Sequence, residues 1–281
     1  NTNPTRNGGP AGNWNNASAN WKGSDTRFVM GDQATFAPAA NTVVTLDNNI
    51  TAGDVVANVA AAATSLTLTG ADLYINGDNV IYDNTATTPG TGTLTKQGAG
   101  SLIVKGSSVA MRKGDIQAGS LALVDGGGIA GLASDERGVI TVASGAALAS
   151  AAGAANNNIG PFADVTVKKG GFLTLGKGLD VSNLASLTLE EGVLPYPAAD
   201  FAYAGTMIAR GYGAAPAAGV TLNPNGIAVS GAGRWAATDK AQYKNNMNVS
   251  VAKNGMLEVN GNGSHVFAGS SVLNMANGSV L

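Results

Sequence analysis

The chain has 281 residues, a formal net charge of −2 and no cysteine. Charged residues make up 12% of it, which is about half the usual ~25%, whereas 40 residues are glycine and 44% are hydrophobic. This balance excludes a disordered chain and disfavours a helical enzyme domain, whose exposed faces carry many more charges. No basic run is longer than Lys168-Lys169, so we expect no nucleic-acid partner. No window approaches roughly 18 apolar residues, so no membrane-spanning helix is predicted.

The first forty residues are rich in Asn, Gly and Pro and carry a group of aromatic residues. The group consists of Trp14, Trp21, Phe28 and Phe36. A stack of strands has an open end, and its apolar core has to be covered there. We therefore predict that residues 1–40 form an N-terminal aromatic cap. Stacking of these aromatic rings on a sugar is the functional alternative.

Short apolar runs follow between residues 43 and 75. In Leu66–Ile75 apolar and polar residues alternate on both sides of Gly70, which predicts a strand, a turn and a second strand. Residues 84–93 are rich in Thr, Pro and Gly and are predicted to form a loop.

The centre of the chain repeats itself after 19 residues. Leu102-Ile103-Val104 and Leu121-Ala122-Leu123-Val124 are each preceded by a glycine-containing turn. Their separation lies near the roughly 20-residue lower limit of solenoid repeats. We therefore predict an all-β fold in which successive short strands stack as a β-solenoid.

The same stretch resembles a known repeat. Residues 94–104, LTKQGAGSLIV, and 117–123, QAGSLAL, resemble the autotransporter-associated β-strand repeat, also called the passenger-associated transport repeat. The copy departs from the family pattern at Met111–Gly114. The resemblance implies a right-handed parallel β-helix in a passenger segment exported by type V secretion. It further implies a secreted or cell-surface location in a diderm bacterium.

The pattern continues to the end of the chain with decreasing fidelity. Residues 165–175 align position by position with residues 249–259, and looser copies start at Ile140, Leu187 and Val220. We predict that residues 41–281 form the β-helix, with about a dozen coils.

One region breaks the pattern. Residues 194–218 contain three prolines, which cannot donate to a strand ladder. We predict an excursion from the solenoid at about 194–218. Its tyrosines either pack against the coil or form a ligand-binding surface for host or matrix glycans, and the candidates are Tyr196, Tyr203 and Tyr212.

The residues give little support to catalysis. His265 is the only histidine, and the adjacent Ser264 would point to the opposite face of a strand. Neither a zinc cluster nor an EF-hand spacing is present, although Asp78-Asn79 and Asp83-Asn84 could offer oxygen ligands to calcium. Carboxylates that could pair for sugar hydrolysis lie mostly in turns, where Asp bonds to the local backbone: Asp72, Asp78, Asp83, Asp135, Glu136, Glu190 and Glu191.

Three functions remain open. The first is a non-enzymatic passenger that acts as an adhesin or a structural surface component, with no catalytic residue, no metal and no cofactor. The second is a self-assembling filament or coat subunit, because exposed strand edges at a solenoid end can pair. The third is a carbohydrate-active β-helix, either a lyase or a glycosidase.

Overall fold

The fold is taken from a computed structural model. It describes residues 5–7, 12–15, 17, 19, 21, 27–77, 92–129, 138–150, 157–160, 163–174, 179–180, 186–190, 206–214, 220–222, 226–238, 241–243, 248–260 and 272–281. Every regular element within these ranges is a β-strand.

The strands are short. The first group comprises β1 (Thr5–Asn7), β2 (Gly12–Trp14), β3 (Ala34–Ala37), β4 (Thr42–Leu46), β5 (Ile50–Ala52), β6 (Val55–Asn58), β7 (Ser65–Gly70) and β8 (Leu73–Ile75). The central group comprises β9 (Thr93–Gln97), β10 (Ser101–Lys105), β11 (Ser108–Ala110), β12 (Lys113–Ile116), β13 (Gly119–Val124), β14 (Gly128–Ile129), β15 (Val139–Val142), β16 (Ala146–Ser150) and β17 (Asn157–Ile159). The last group comprises β18 (Asp164–Val167), β19 (Phe172–Thr174), β20 (Leu179–Asp180), β21 (Ser186–Glu190), β22 (Thr206–Ala214), β23 (Val220–Leu222), β24 (Gly226–Thr238), β25 (Ala241–Tyr243), β26 (Asn248–Val251), β27 (Met256–Asn260) and β28 (Val272–Met275).

These strands form three long sheets. Sheet A runs β1-β3-β6-β9-β12-β15-β18-β21-β22-β24-β26-β28, and β27 also pairs with β24. Sheet B runs β19-β16-β13-β10-β7-β4-β2, and sheet C runs β20-β17-β14-β11-β8-β5. Each pairing within them is parallel, as is that of β23 with β25.

The chain visits the three sheets in a fixed rotation. From β3 to β20 the strands belong to sheets A, B and C in turn, so that each sheet gains one strand every third element. We call each such triplet a repeat. The predicted stacking is confirmed: Leu102 lies opposite Leu121, and the register extends to Leu66, Leu148 and Leu173, all of them buried. The architecture is therefore all-β with long parallel sheets, as predicted, and it is compatible with a β-helix.

Alternation decides which side chains form the core. In β9, β10 and β13 every second residue is buried, because successive side chains of a strand point to opposite faces. The register of sheet A aligns one residue of each strand from β3 to β28 into what we call the Lys96 row: Phe36, Ala57, Lys96, Ile116, Val142, Val167, Leu189, Ala209, Val229, Val251 and Met275. The first six of them and Val251 are buried.

The turns that leave sheet A also repeat. Gly170 and Asn254 have φ of 74° and 67° and occupy equivalent positions of the two aligned segments, which confirms the predicted strand-turn-strand match. In each turn the next residue donates its N–H to a carbonyl three residues earlier, as in Gly171 to Lys168 and Gly255 to Ala252. Positive φ is a conformation that glycine and, less readily, asparagine adopt.

The four aromatic residues near the N-terminus form one cluster. Trp14 contacts Trp21, Phe28 and Phe36 edge-on, with ring centroids 5.1–5.3 Å apart. Each of the four side chains is at most 3% exposed. The rings therefore pack against one another and are covered by the protein. This arrangement does not support their stacking on a sugar.

Residues 194–218 are partly described. Within them, Thr206–Ala214 is β22, which pairs with β21 and β24 in sheet A. Residues 194–205 and 215–218 lie outside the described ranges, as do residues 84–91 of the loop predicted over 84–93. Thr93, at the end of that loop, is instead the first residue of β9. The described part of the chain contains no helix long and apolar enough to cross a membrane.

Candidate functional site

The three candidate tyrosines are only partly located. Tyr196 and Tyr203 lie outside the described residues. Tyr212 is in β22, where its backbone is paired with Arg234 next to a register irregularity. Their grouping into one binding surface stays a prediction.

Most of the candidate catalytic and calcium-binding residues also lie outside the described ranges: Ser264, His265, Asp78, Asn79, Asp83, Asn84, Asp135, Glu136 and Glu191. Glu190, which is described, is the final residue of β21. The residues that the structure does describe contain no group of three or more His, Asp or Glu able to hold a metal ion.

Asp72 is described, and its carboxylate is used by the backbone. Its Oδ1 accepts a hydrogen bond from the Ser108 N–H at 2.8 Å, while the Asp72 N–H donates to Asn49 Oδ1 at 3.2 Å. In the same way Asp54 Oδ1 accepts the Thr93 N–H at 2.8 Å. Each side chain pairs a backbone donor one repeat further on, at a turn where the strand ladder is interrupted. Asp72 thus lies in the turn between β7 and β8, but the predicted bond to the local backbone is wrong, because its carboxylate accepts from the backbone of the next repeat.

Tyr74 lies on the outer side of β8, close to Asp72. Burial raises the pKa of the Tyr74 hydroxyl, and the negative charge of Asp72 raises it further. The phenol therefore stays neutral and able to donate a hydrogen bond throughout the physiological pH range.

The most unusual group in the described residues is a buried lysine. Lys96 is 0% exposed, and its Nζ donates to the carbonyl oxygens of Gln97 at 2.7 Å, Gly98 at 2.8 Å and Ala118 at 2.9 Å. An ammonium group has three N–H donors, and here each has an acceptor. The ammonium thus joins two successive repeats, because Gln97 ends β9 and Gly98 follows it, whereas Ala118 follows β12.

The turns above Lys96 pack too closely for side chains. A Cβ atom on Gly119 would lie 2.2 Å from the Gly100 carbonyl oxygen, and one on Gly98 would lie 2.3 Å from that of Val59. The glycines of the motif therefore allow three successive turns to stack on one another, and the stacked backbone encloses the amine.

Enclosure determines the chemistry of this amine. Burial lowers the pKa of Lys96 to about 8, because removal from water disfavours the charged form. The side chain has no exposed surface, so it cannot attack or deprotonate an external substrate. Sequence analysis did not identify Lys96, although strict alternation from the buried Leu94 would have placed it inside.

The outer faces of the sheets carry polar ladders. On sheet B, Ser101 Oγ and Ser120 Oγ are 2.8 Å apart. On sheet A, Gln97 Nε2 donates to Gln117 Oε1 at 3.1 Å, and Gln117 donates in turn to Asp115 at 2.8 Å. These contacts place hydroxyl and amide groups on the outer faces of the central repeats.

Comparison with known proteins returned nothing: no protein-family model, no curated protein and no solved structure matches the chain.

Proposed function

We propose that the chain is a right-handed parallel β-helix and forms a non-enzymatic segment of a bacterial surface protein exported by type V secretion. The observation that carries the proposal is the stacking of the two halves of the passenger-like repeat, Leu102 on Leu121, inside parallel sheet B, next to parallel sheet A, which continues from β1 to β28. Strand order A, B, C with parallel pairing is what successive coils would produce, and parallel crossovers are right-handed in nearly all known cases.

The proposed role is to project from the cell and to adhere or to form part of the surface structure. The twelve strands along the main path of sheet A, spaced by about 4.8 Å, would span about 53 Å. The buried aromatic cluster around Trp14 would cap the first coil. Polar ladders along the outer faces would keep such a rod solvated with few charges.

Surface display tests the export part of this proposal. The chain would be placed between a signal peptide and a type V translocator barrel in a diderm host, and whole cells would be treated with protease. We expect the chain to be cleaved on intact cells, as a known passenger is. Retention inside the cell, by a chain that folds when purified, would contradict the proposal.

A glycan array tests adhesion. We propose that Tyr196, Tyr203 and Tyr212 bind glycans, and we expect at least about tenfold weaker binding when all three are changed to Ala. Tyr74→Ala is the matched control, because Tyr74 lies in β8, outside residues 194–218. Equal binding by the two variants would remove the tyrosines from the proposed site.

One observation favours self-assembly as a second candidate. Leu273 and Met275 of β28 are paired with buried residues of β26, yet their own side chains are 42% and 37% exposed. Such an apolar edge can pair with another strand. Light scattering across a concentration series, with Leu273→Lys as the disrupting variant, tests this candidate. A mass that stays monomeric at every concentration would exclude it.

A further inference from the structure

Lys96 is the exception in the row that bears its name. Its neighbours in the adjacent strands of sheet A, Ala57 and Ile116, are apolar and buried. Val142 and Val167 continue the row. An ammonium in such a row needs a specific reason, because a buried charge without partners is costly.

Apolar alternation alone does not fix how two stacked strands align. A shift by two residues keeps every inward side chain inward. In β9 and β12 such a shift would place Thr95 opposite Lys113 or Gln117 in place of Asp115. In the direction that brings Thr95 opposite Gln117, Leu94 would meet Ile116, so apolar positions still meet, whereas the other direction would place Leu94 opposite Arg112. The apolar side chains of β9 and β12 therefore disfavour the two-residue shift toward Gln117 only weakly.

Lys96 distinguishes strongly between the native register and a register shifted by two residues. Two of its acceptors, Gln97 at the end of β9 and the adjacent Gly98, would move with β9, whereas the third, Ala118, follows β12. A two-residue shift would displace the Ala118 carbonyl by about 6.6 Å relative to the amine. The third N–H would then lie in an apolar interior without an acceptor, and this cost arises only in the wrong register.

We propose that Lys96 fixes the register of β9 on β12, and through it the alignment of the repeats that follow. A single buried polar group that selects one register among several apolar ones is a known use of such groups. The lysine of the Leu94–Val104 motif is thereby a positioning residue for the stack, and its chemistry is directed at the backbone.

Disulfide trapping can read the register directly, because the native chain has no cysteine. Thr95→Cys with Asp115→Cys places two cysteines opposite each other in the native register. Thr95→Cys with Gln117→Cys places them opposite each other only after the two-residue shift that keeps Leu94 opposite an apolar residue. In the native register this second pair is about 8 Å apart between Cα atoms, which is beyond disulfide reach.

Each cysteine pair would be refolded and oxidised with Lys96 present and in the Lys96→Met variant. With Lys96, we expect the first pair to form its disulfide and the second to stay reduced. In Lys96→Met, we expect the disulfide yield of the second pair to rise at least about tenfold, while that of the first falls. Lys105→Met is the matched control, since it also removes one lysine, but from an exposed site.

The outcomes separate register selection from general stabilisation. A Lys96→Met chain that folds and still forms only the native disulfide would overturn the proposal, as would an equal rise in Lys105→Met. If Lys96→Met does not fold, the same pairs are oxidised in Lys96→Gln, which retains two N–H donors. Failure of that variant to fold would also overturn the proposal, because a residue that only selects register is dispensable for forming the sheets.

Discussion

The two ends of the Lys96 row contain similar residues in very different surroundings. At the N-terminal end Phe36 is 2% exposed, because Trp14 and Trp21 pack against it. At the other end Met275 is 37% exposed, although Val251, its neighbour in the ladder, is buried. The same strand pattern therefore buries its inward side chains only where a further layer covers them. Burial in this architecture comes from neighbours along the stack more than from the strand itself.

The aromatic cluster should give the largest difference between the two ends. Trp14→Ala removes three ring contacts from a fully buried position, and we expect it to lower the free energy of unfolding by about 3–5 kcal/mol. Met275→Ala removes a partly exposed side chain and should cost less than about 1 kcal/mol. Urea denaturation followed by circular dichroism measures both. Equal losses would show that the N-terminal end is no more closed than the other.

Glycine turns sharpen the same contrast at a smaller scale. Gly119 has φ of 64° and would place a Cβ 2.2 Å from a backbone oxygen, so Gly119→Ala combines backbone strain with a clash. Gly278, near the C-terminal end, has φ of 84°, and its Cβ would meet only the Lys253 side chain at 3.5 Å.

We expect Gly119→Ala to cost about 3 kcal/mol and Gly278→Ala about 1 kcal/mol, because the second substitution adds strain alone. Thermal and urea unfolding of the two variants would measure the difference. A Gly278→Ala loss as large as that of Gly119→Ala would mean that the turns are equally tight at both ends.

Burial of Lys96 should also make the stability of the stack depend on pH. The pKa of Lys96 is lowered to about 8 in the folded chain, from 10.5 in water. Between these pH values the unfolded chain binds more protons than the folded one, so the free energy of unfolding should rise with pH. Below about pH 8 both states are protonated, and the cost of burying the charge is then fully present.

Comparison of variants isolates this effect. The rise between pH 8 and pH 10 should persist in Lys105→Met, where an exposed lysine is removed, and disappear in Lys96→Gln. Urea unfolding at several pH values would measure it. A slope that survives in Lys96→Gln would assign the titration to another group.

The features that could be predicted from the sequence are those set by the local alternation of apolar and polar residues and by the glycine turns. The stacking of Leu102 on Leu121 and the match of Gly170 with Asn254 follow from spacing and turn chemistry within a few residues. Lys96 could have been placed inside by counting from Leu94. The third acceptor of its amine, the Ala118 carbonyl, could not have been predicted from the sequence, because that contact depends on the register between repeats, which no local pattern encodes.

Asp72 illustrates the same limit for the candidate sites. Its position before β8 predicts a turn role, but its partner, the Ser108 N–H, lies 36 residues away. The tyrosines of residues 194–218 were selected by composition alone, which reports the presence of aromatic residues and not their distances.

Hydrogen exchange should extend the comparison to the backbone of β10 and β28. Val104 of β10 is buried between β7 and β13, whereas among the strands that the structure describes β28 pairs with β26 alone. We expect the amides of β28 to exchange at least about 100-fold faster than those of β10, since β28 opens without unfolding the stack. The Leu273→Lys variant should leave the protection of β10 unchanged. Protection of β28 equal to that of β10 at low protein concentration would contradict this prediction. Protection of β28 that increases with protein concentration would show that a second copy covers the strand, which would support self-assembly.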